Sequence, residues 1–175
     1  MAALVLQQHP AVRWWCPQLP PSPLGAMQLL LSGLTQWQRD AGFEKLAVIG
    51  SSLGGFYATA VAERFGCKAV LLNPAVDPAR DLSRYIGEQT AWHNANEHFF
   101  FEPHFIDELR VLRAGPLKAP KNYLAIIAKG DEVLDWGEMT ARYTGAQIRL
   151  LEGSDHAISD FEAHLPLIVD FLKLA

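Results

Sequence analysis

Cysteine is nearly missing from this 175-residue chain: Cys16 and Cys67 are the only two. Their number and spacing suit neither a disulfide framework nor a zinc site, so both read as reduced, partly buried thiols. Positive charge is not in surplus either. Fifteen Lys and Arg against nineteen Asp and Glu give a formal net charge of −4, which leaves nothing to hold nucleic-acid phosphates or anionic lipid. No run approaches the ~20 apolar residues of a membrane span. The first seven residues, Met1-Ala2-Ala3-Leu4-Val5-Leu6-Gln7, lack the basic and long apolar regions of a secretory signal. The six histidines show no His-x-x-x-His spacing, so no metal site is expected. Repeats, low-complexity tracts and linkers are also missing. What is left, half of it hydrophobic, reads as one domain over residues 1–175 with a sizeable core, expected in the cytoplasm.

What is present centres on Leu46-Ala47-Val48-Ile49-Gly50-Ser51-Ser52-Leu53-Gly54-Gly55-Phe56-Tyr57. An apolar run leads into a glycine-hinged turn and then a helix. The spacing Gly50-x-Ser52-x-Gly54 is that of a nucleophile elbow. A serine oxygen serves an incoming carbonyl only if it projects from the backbone near the amides of a helix N-terminus. A turn that tight drives the serine to positive φ. It also crowds the residues two before and two after, where glycine is expected at 50 and 54. Ser51 fails the same test, because Ile49 and Leu53 would then stand at the glycine positions.

Along the chain, residues 2–8 are either helix or brief strand, ended by His9-Pro10. Residues 12–16, rich in β-formers, are a strand candidate. After a proline-rich connector, Met27, Leu30, Leu31, Leu34 and Trp37 mark one face of a helix over 24–39, stopped by Gly42. A strand at 45–49, a helix at 53–65 stopped by Gly66, and a strand at 69–72 make a β-α-β unit. Its strands do not alternate in polarity, which points to a parallel sheet covered on both faces. From about 76 to 120 the rhythm lapses into an aromatic, lid-like excursion. It carries Trp92, Phe99, Phe100, Phe101, Phe105 and the histidines His93, His98 and His104, and closes with a helix at 105–112. Trp92, Phe99 and Phe101 are its candidate substrate contacts. A strand at 123–128, a helix at 136–143, a strand at 148–151 and a helix over 159–174 complete the chain.

In an open parallel sheet, functional side chains gather just past the carboxyl ends of the strands. Ser52, Asp131 and His156 all fall there. A hydroxyl needs a base to become a nucleophile, and histidine titrates in the right range. A buried carboxylate then holds the imidazole in its working tautomer. His156 alone among the histidines lies in a strand-end loop, Glu152-Gly153-Ser154-Asp155-His156, whereas His164 falls inside the final helix. Asp131 is preferred to Asp135 because it directly follows Gly130 at the strand's end, and to Asp155, whose side chain adjoins the histidine and points away. The order Ser…Asp…His is that of the α/β-hydrolases.

Several of these segments together resemble the YqiA-type small bacterial esterases of the α/β-hydrolase superfamily. They are Gly50-Ser51-Ser52-Leu53-Gly54-Gly55-Phe56-Tyr57-Ala58-Thr59, Leu72-Asn73-Pro74-Ala75-Val76, Lys129-Gly130-Asp131-Glu132-Val133-Leu134-Asp135, Asp155-His156-Ala157 and Pro17-Gln18-Leu19-Pro20-Pro21. The likeness runs through nearly the whole chain from about Leu4. It implies a compact α/β-hydrolase fold, a mostly parallel sheet flanked by helices, esterase activity, no cofactor, and Ser52, Asp131 and His156 as a triad. One departure stands out: nothing here matches the family's opening strand and its His-Gly loop, and residues 2–8 correspond to the helix after that loop. In the superfamily that strand lies beside the nucleophile strand, and its loop supplies one of two oxyanion amides. The other comes from the residue after the nucleophile, here Leu53. Either the chain as given starts late, which is the expectation, or its flanking strands have paired across the gap.

The expected function is a serine esterase or thioesterase acting through an acyl-enzyme on a small-molecule substrate. The alternative is a weak or inactive hydrolase-fold binding protein with an incomplete oxyanion hole. An acyltransferase would use the same triad. The sequence does not address oligomeric state.

Overall fold

The structure, a computed structural model, describes residues 2–43, 45–91 and 94–174. In chain order its elements are α1 (Ala2–Gln8), α2 (Pro23–Ala41), β1 (Ala47–Ser51), α3 (Leu53–Phe65), β2 (Lys68–Leu72), α4 (Pro78–Asp81), β3 (Gly87–Ala91), β4 (Asn94–Phe101), α5 (Phe105–Leu112), β5 (Tyr123–Ala128), α6 (Trp136–Arg142), β6 (Gln147–Leu151) and α7 (Leu165–Leu172), with short 3-10 turns at Ser83–Tyr85, Pro120–Asn122 and Phe161–His164. β5 is Tyr-Leu-Ala-Ile-Ile-Ala and buried at every position. A strand apolar on both sides must be covered on both faces, which a parallel sheet with helical crossovers provides. The sheet runs β1-β2-β5-β6, all parallel.

Side-chain alternation sorts the core into two layers. Ala69, Leu71, Ala125 and Ile127 face Ala58 and Ala62 of α3 and Met139 and Tyr143 at α6. Val70, Leu72, Leu124 and Ile126 face Ile168 and Phe171 of α7. A further apolar cluster joins Met27 and Leu34 of α2, Phe56 and Val61 of α3, and Phe105 and Leu109 of α5. Glu108 of α5 ties that layer to the start of α2, accepting from the Ser22 hydroxyl and the Leu24 N–H, both at 2.9 Å. Gly42 and Gly66 end α2 and α3 at positive φ, the left-handed conformation that glycine adopts without strain.

The stretch at 12–16 is not a strand. Its β-formers are spent on a helix instead: Trp15 lies over Gly33 of α2, in space a Cβ would fill, 6.3 Å from the Trp37 ring. Flanking strands therefore do not pair across a gap. Among the described residues β1 is an edge strand, with β2 on one side and no strand on the other. Residues 2–8 are helical. The closing helix is shorter than its apolar stripe suggests. Pro166 fits only the first turn, so α7 starts at Leu165 behind a 3-10 turn. The aromatic excursion holds an unforeseen antiparallel hairpin, β3 with β4. Phe101 is buried edge-to-face on Phe105 at 5.4 Å, while Phe100 between the two inward rings is exposed. Trp92 and His93 lie outside the described residues. Cys16 is exposed rather than partly buried; Cys67 is half-buried, and burial pushes its thiol up to about 11.

Burial also raises the hydroxyls of Tyr57, Tyr123 and Tyr143 above their ordinary value of 10.0, Tyr123 with help from the Glu63 carboxylate. For an acid held neutral by the fold, stability is complete below the unfolded value and lost as pH climbs past it. Urea midpoints should therefore begin to fall above about pH 9, where the Cys67 thiol would ionise in the unfolded chain, and fall more steeply above about pH 10, where the tyrosines would. Tyr143→Phe, which also gives up the 2.9 Å bond to Thr59, should lower stability near neutrality by about 1 kcal/mol and soften the alkaline fall.

Candidate active site

Register brings the strand ends level. Ser51 of β1 pairs with Leu72 of β2, Leu72 with Ile126 of β5, and Ala128 of β5 with Leu151 of β6. The chain leaves β1 at Ser52, which sits at φ 52, ψ −122 as the residue before α3. Backbone bonds to the next strand's exit hold it there. Ser52 N–H donates to Leu72 O at 2.9 Å, and Ala75 N–H donates to Ser52 O at 3.0 Å. The crowding differs from expectation in one detail. A Cβ on Gly50 would collide with the Gly54 carbonyl, and one on Gly55 would lie 2.7 Å from Pro74 Cβ, whereas one on Gly54 would meet nothing. The glycine needed after the serine is therefore Gly55, because α3 turns that residue, not Gly54, onto the proline beside the elbow.

Across the strand ends, His156 and Asp131 close on this serine. His156 Nε2 lies 3.0 Å from Ser52 Oγ, and its Nδ1 lies 2.8 and 3.0 Å from the two Asp131 oxygens. The Asp131 side chain is fully buried, that of His156 about a fifth exposed. Asp131 Oδ1 also accepts the N–H groups of Val133 and Leu134 at 2.8 and 2.9 Å. Three donors thus converge on one carboxylate. An ionised carboxylate only accepts, so Nδ1 carries the imidazole proton and Nε2 is left to accept from the serine hydroxyl. Glu132 accepts the His156 backbone N–H at 3.0 Å.

The other candidate carboxylates are used locally. Asp135 caps α6 through Glu138 N–H at 2.8 Å. Asp155 turns away from the ring to accept from Ser159, whose hydroxyl and N–H hold it below the usual carboxylate range. His164 is buried beside Asp160 at 3.1 Å. Phe99 and Phe101 pack against the core beneath the hairpin. Among the described residues no acceptor takes the N–H of Leu53 or Gly54 at the start of α3, so two free amides and the positive end of a helix dipole border Ser52. Among the described residues no group of His, Cys, Asp and Glu could hold a metal ion, and no helix is long and apolar enough to cross a membrane.

Sequence reasoning gave no role to Asn73, which enters it within the segment Leu72-Asn73-Pro74-Ala75-Val76; in the structure its buried amide donates to the carbonyls of Asp155 and His156. The available signal was an asparagine, a residue tolerant of positive φ, at a strand exit beside the nucleophile.

Several solved structures similar to this one are α/β-hydrolases. The mouse α/β-hydrolase domain-containing protein 10 aligns at TM-score 0.63 and 17% identity over 87% of this chain and 70% of its own. Est1E from Butyrivibrio proteoclasticus aligns at 0.58 and 15% over 87% and 68%. An α/β superfamily hydrolase from Oenococcus oeni aligns at 0.58 and 16% over 90% and 77%. The fold is thus that of the α/β-hydrolases. A family model described as Uncharacterised protein family (UPF0227) matches residues 1–173, and the chain belongs to that family.

The two glycines of the elbow should separate in a stability assay. Gly50→Ala forces backbone apart and is expected to cost about 1–3 kcal/mol, read from urea midpoints. Gly54→Ala, with open space and better helix propensity, should be neutral or slightly stabilising. Equal losses in both would contradict this packing.

Proposed function

We propose that this protein is a serine hydrolase that cleaves carboxylic esters or thioesters through an acyl-enzyme on Ser52. The observation that carries the reading is the continuous line Ser52 Oγ, His156 Nε2, His156 Nδ1, Asp131, with neither gap longer than 3.0 Å. As Oγ attacks the substrate carbonyl carbon, its proton passes to Nε2, and Asp131 stabilises the imidazolium without taking that proton. Charge then builds on the former carbonyl oxygen, and the Leu53 N–H is the oxyanion donor. Collapse of the tetrahedral species breaks the bond to the alkoxide or thiolate, which leaves with the proton from Nε2. Water then gives a proton to the same nitrogen and attacks the acyl-enzyme, releasing the acid and restoring the serine.

A fluorophosphonate probe tests this directly. Adduct mapped to Ser52 together with turnover of p-nitrophenyl butyrate is the expected result. Asp131→Asn should lower turnover by about 10⁴-fold, and Ser52→Ala should abolish labelling. The competing reading, a hydrolase-fold binding protein, is motivated by the open outer edge of β1 and the single assigned oxyanion donor. Losing a second donor costs on the order of 10²–10³ in rate. No label on Ser52 in folded protein, with ligand binding indifferent to Ser52→Ala, would establish that reading instead.

A further inference from the structure

We infer that Asn73 is a positioning residue for His156: its side-chain amide holds the loop that carries the imidazole against the ends of the sheet, at the distance Ser52 requires. The inference rests on the triad reading above.

Asn73 is fully buried, at the first position beyond β2, with φ 41. Its backbone N–H donates to Ile126 O at 3.0 Å, extending the β2–β5 ladder by one rung. Its Oδ1 then accepts the Ala128 N–H at 2.8 Å, doing what a backbone carbonyl would do if β2 continued. The Nδ2 group donates to the carbonyls of Asp155 and His156 at 2.9 and 3.0 Å. The orientation of the amide is settled by chemistry: Ala128 N–H can only donate and the two carbonyls can only accept. One side chain therefore binds the exit of β5, three residues before Asp131, to both peptide carbonyls flanking the His156 Cα. Its own residue adjoins Leu72, whose carbonyl receives the Ser52 N–H.

That geometry assigns a task beyond filling space. His156 lies in a loop with backbone strain at Ser154, φ 68, and at Ile158, φ 50, so the loop's relaxed path is not its observed one. The imidazole is fixed at both ring nitrogens only if the backbone carrying it is fixed. Glu132 secures the His156 N–H from an exposed position, and Asn73 secures the carbonyl side from the buried one. Catalytic efficiency is steep in such placement, with a displacement of about 1 Å costing about 10²-fold.

The test uses the full chain and compares Asn73→Asp with Asn73→Ala. Asn73→Asp keeps the shape and the acceptor for Ala128 but turns two donated hydrogen bonds into oxygen facing oxygen. In variants shown to be folded by circular dichroism and assayed well below their melting temperatures, fluorophosphonate labelling of Ser52 and kcat should both fall by about 10²-fold, with KM little changed. An independent readout is the downfield Nδ1 proton of His156 by NMR, expected to be sharp in the parent and broadened or lost in both variants. Folded variants with parental kcat and a parental imidazole signal would overturn the inference. So would failure of both variants to fold even in the cold, since Asn73 would then serve the fold itself. If the parent is not labelled at Ser52, the hydrolase reading fails, yet the imidazole signal still decides whether Asn73 places His156.

Discussion

Two backbone hydrogen bonds bear the weight of this structure: Ser52 N–H to Leu72 O, and Ala75 N–H to Ser52 O. They grip one residue from both sides, through its donor and its acceptor, at the seam where β1 and β2 end. Only such a grip keeps a serine at φ 52. Strain of this kind costs about 1–3 kcal/mol per residue and persists only where surrounding structure dictates it. Among the described residues five non-glycines have positive φ, and four of them, Ser52, Asn73, Ser154 and Ile158, lie in the strand-end loops around the serine. The interior of the sheet, where β5 is wholly buried, supplies the rigidity against which that strain is held.

The same arrangement explains what each strand contributes. β1 delivers the hydroxyl and, through the first turn of α3, amides with no acceptor of their own. β2 contributes no proposed triad member, but Asn73 at its end joins its neighbours' loops. β5 delivers Asp131, whose buried carboxylate is shared between a backbone turn and a histidine ring. β6 delivers the loop of His156. The site is thus a sequence of strand exits read across the sheet, and register converts strand order into side-chain distance. Among the described residues no strand pairs with the outer edge of β1, so one flank of the serine has no neighbouring strand.

The excursion between β2 and β5 was the least legible part. Three adjacent phenylalanines give no helix period, and the alternation that places Phe101 inward and Phe100 outward is only three residues long. The stretch at 12–16 misled for the opposite reason: Trp and Val suit a strand, yet Trp15 found a helix surface opened by Gly33. β-Propensity describes a preference for half-buried surface, which a helix can also offer.

Local patterns by themselves determined the parallel α/β class, the bounds of α3, α5 and β5, and the three residues set past strand ends. Continuous apolar runs, glycine stops and Gly-x-Ser-x-Gly spacing act within a few residues of chain, so they can be read there. Tertiary structure alone decided that Gly55 and not Gly54 is the crowded glycine, and that Asn73 reaches across to residue 156. Each of these depends on contacts between segments far apart in sequence, and the distances involved exist only once strand register has been set.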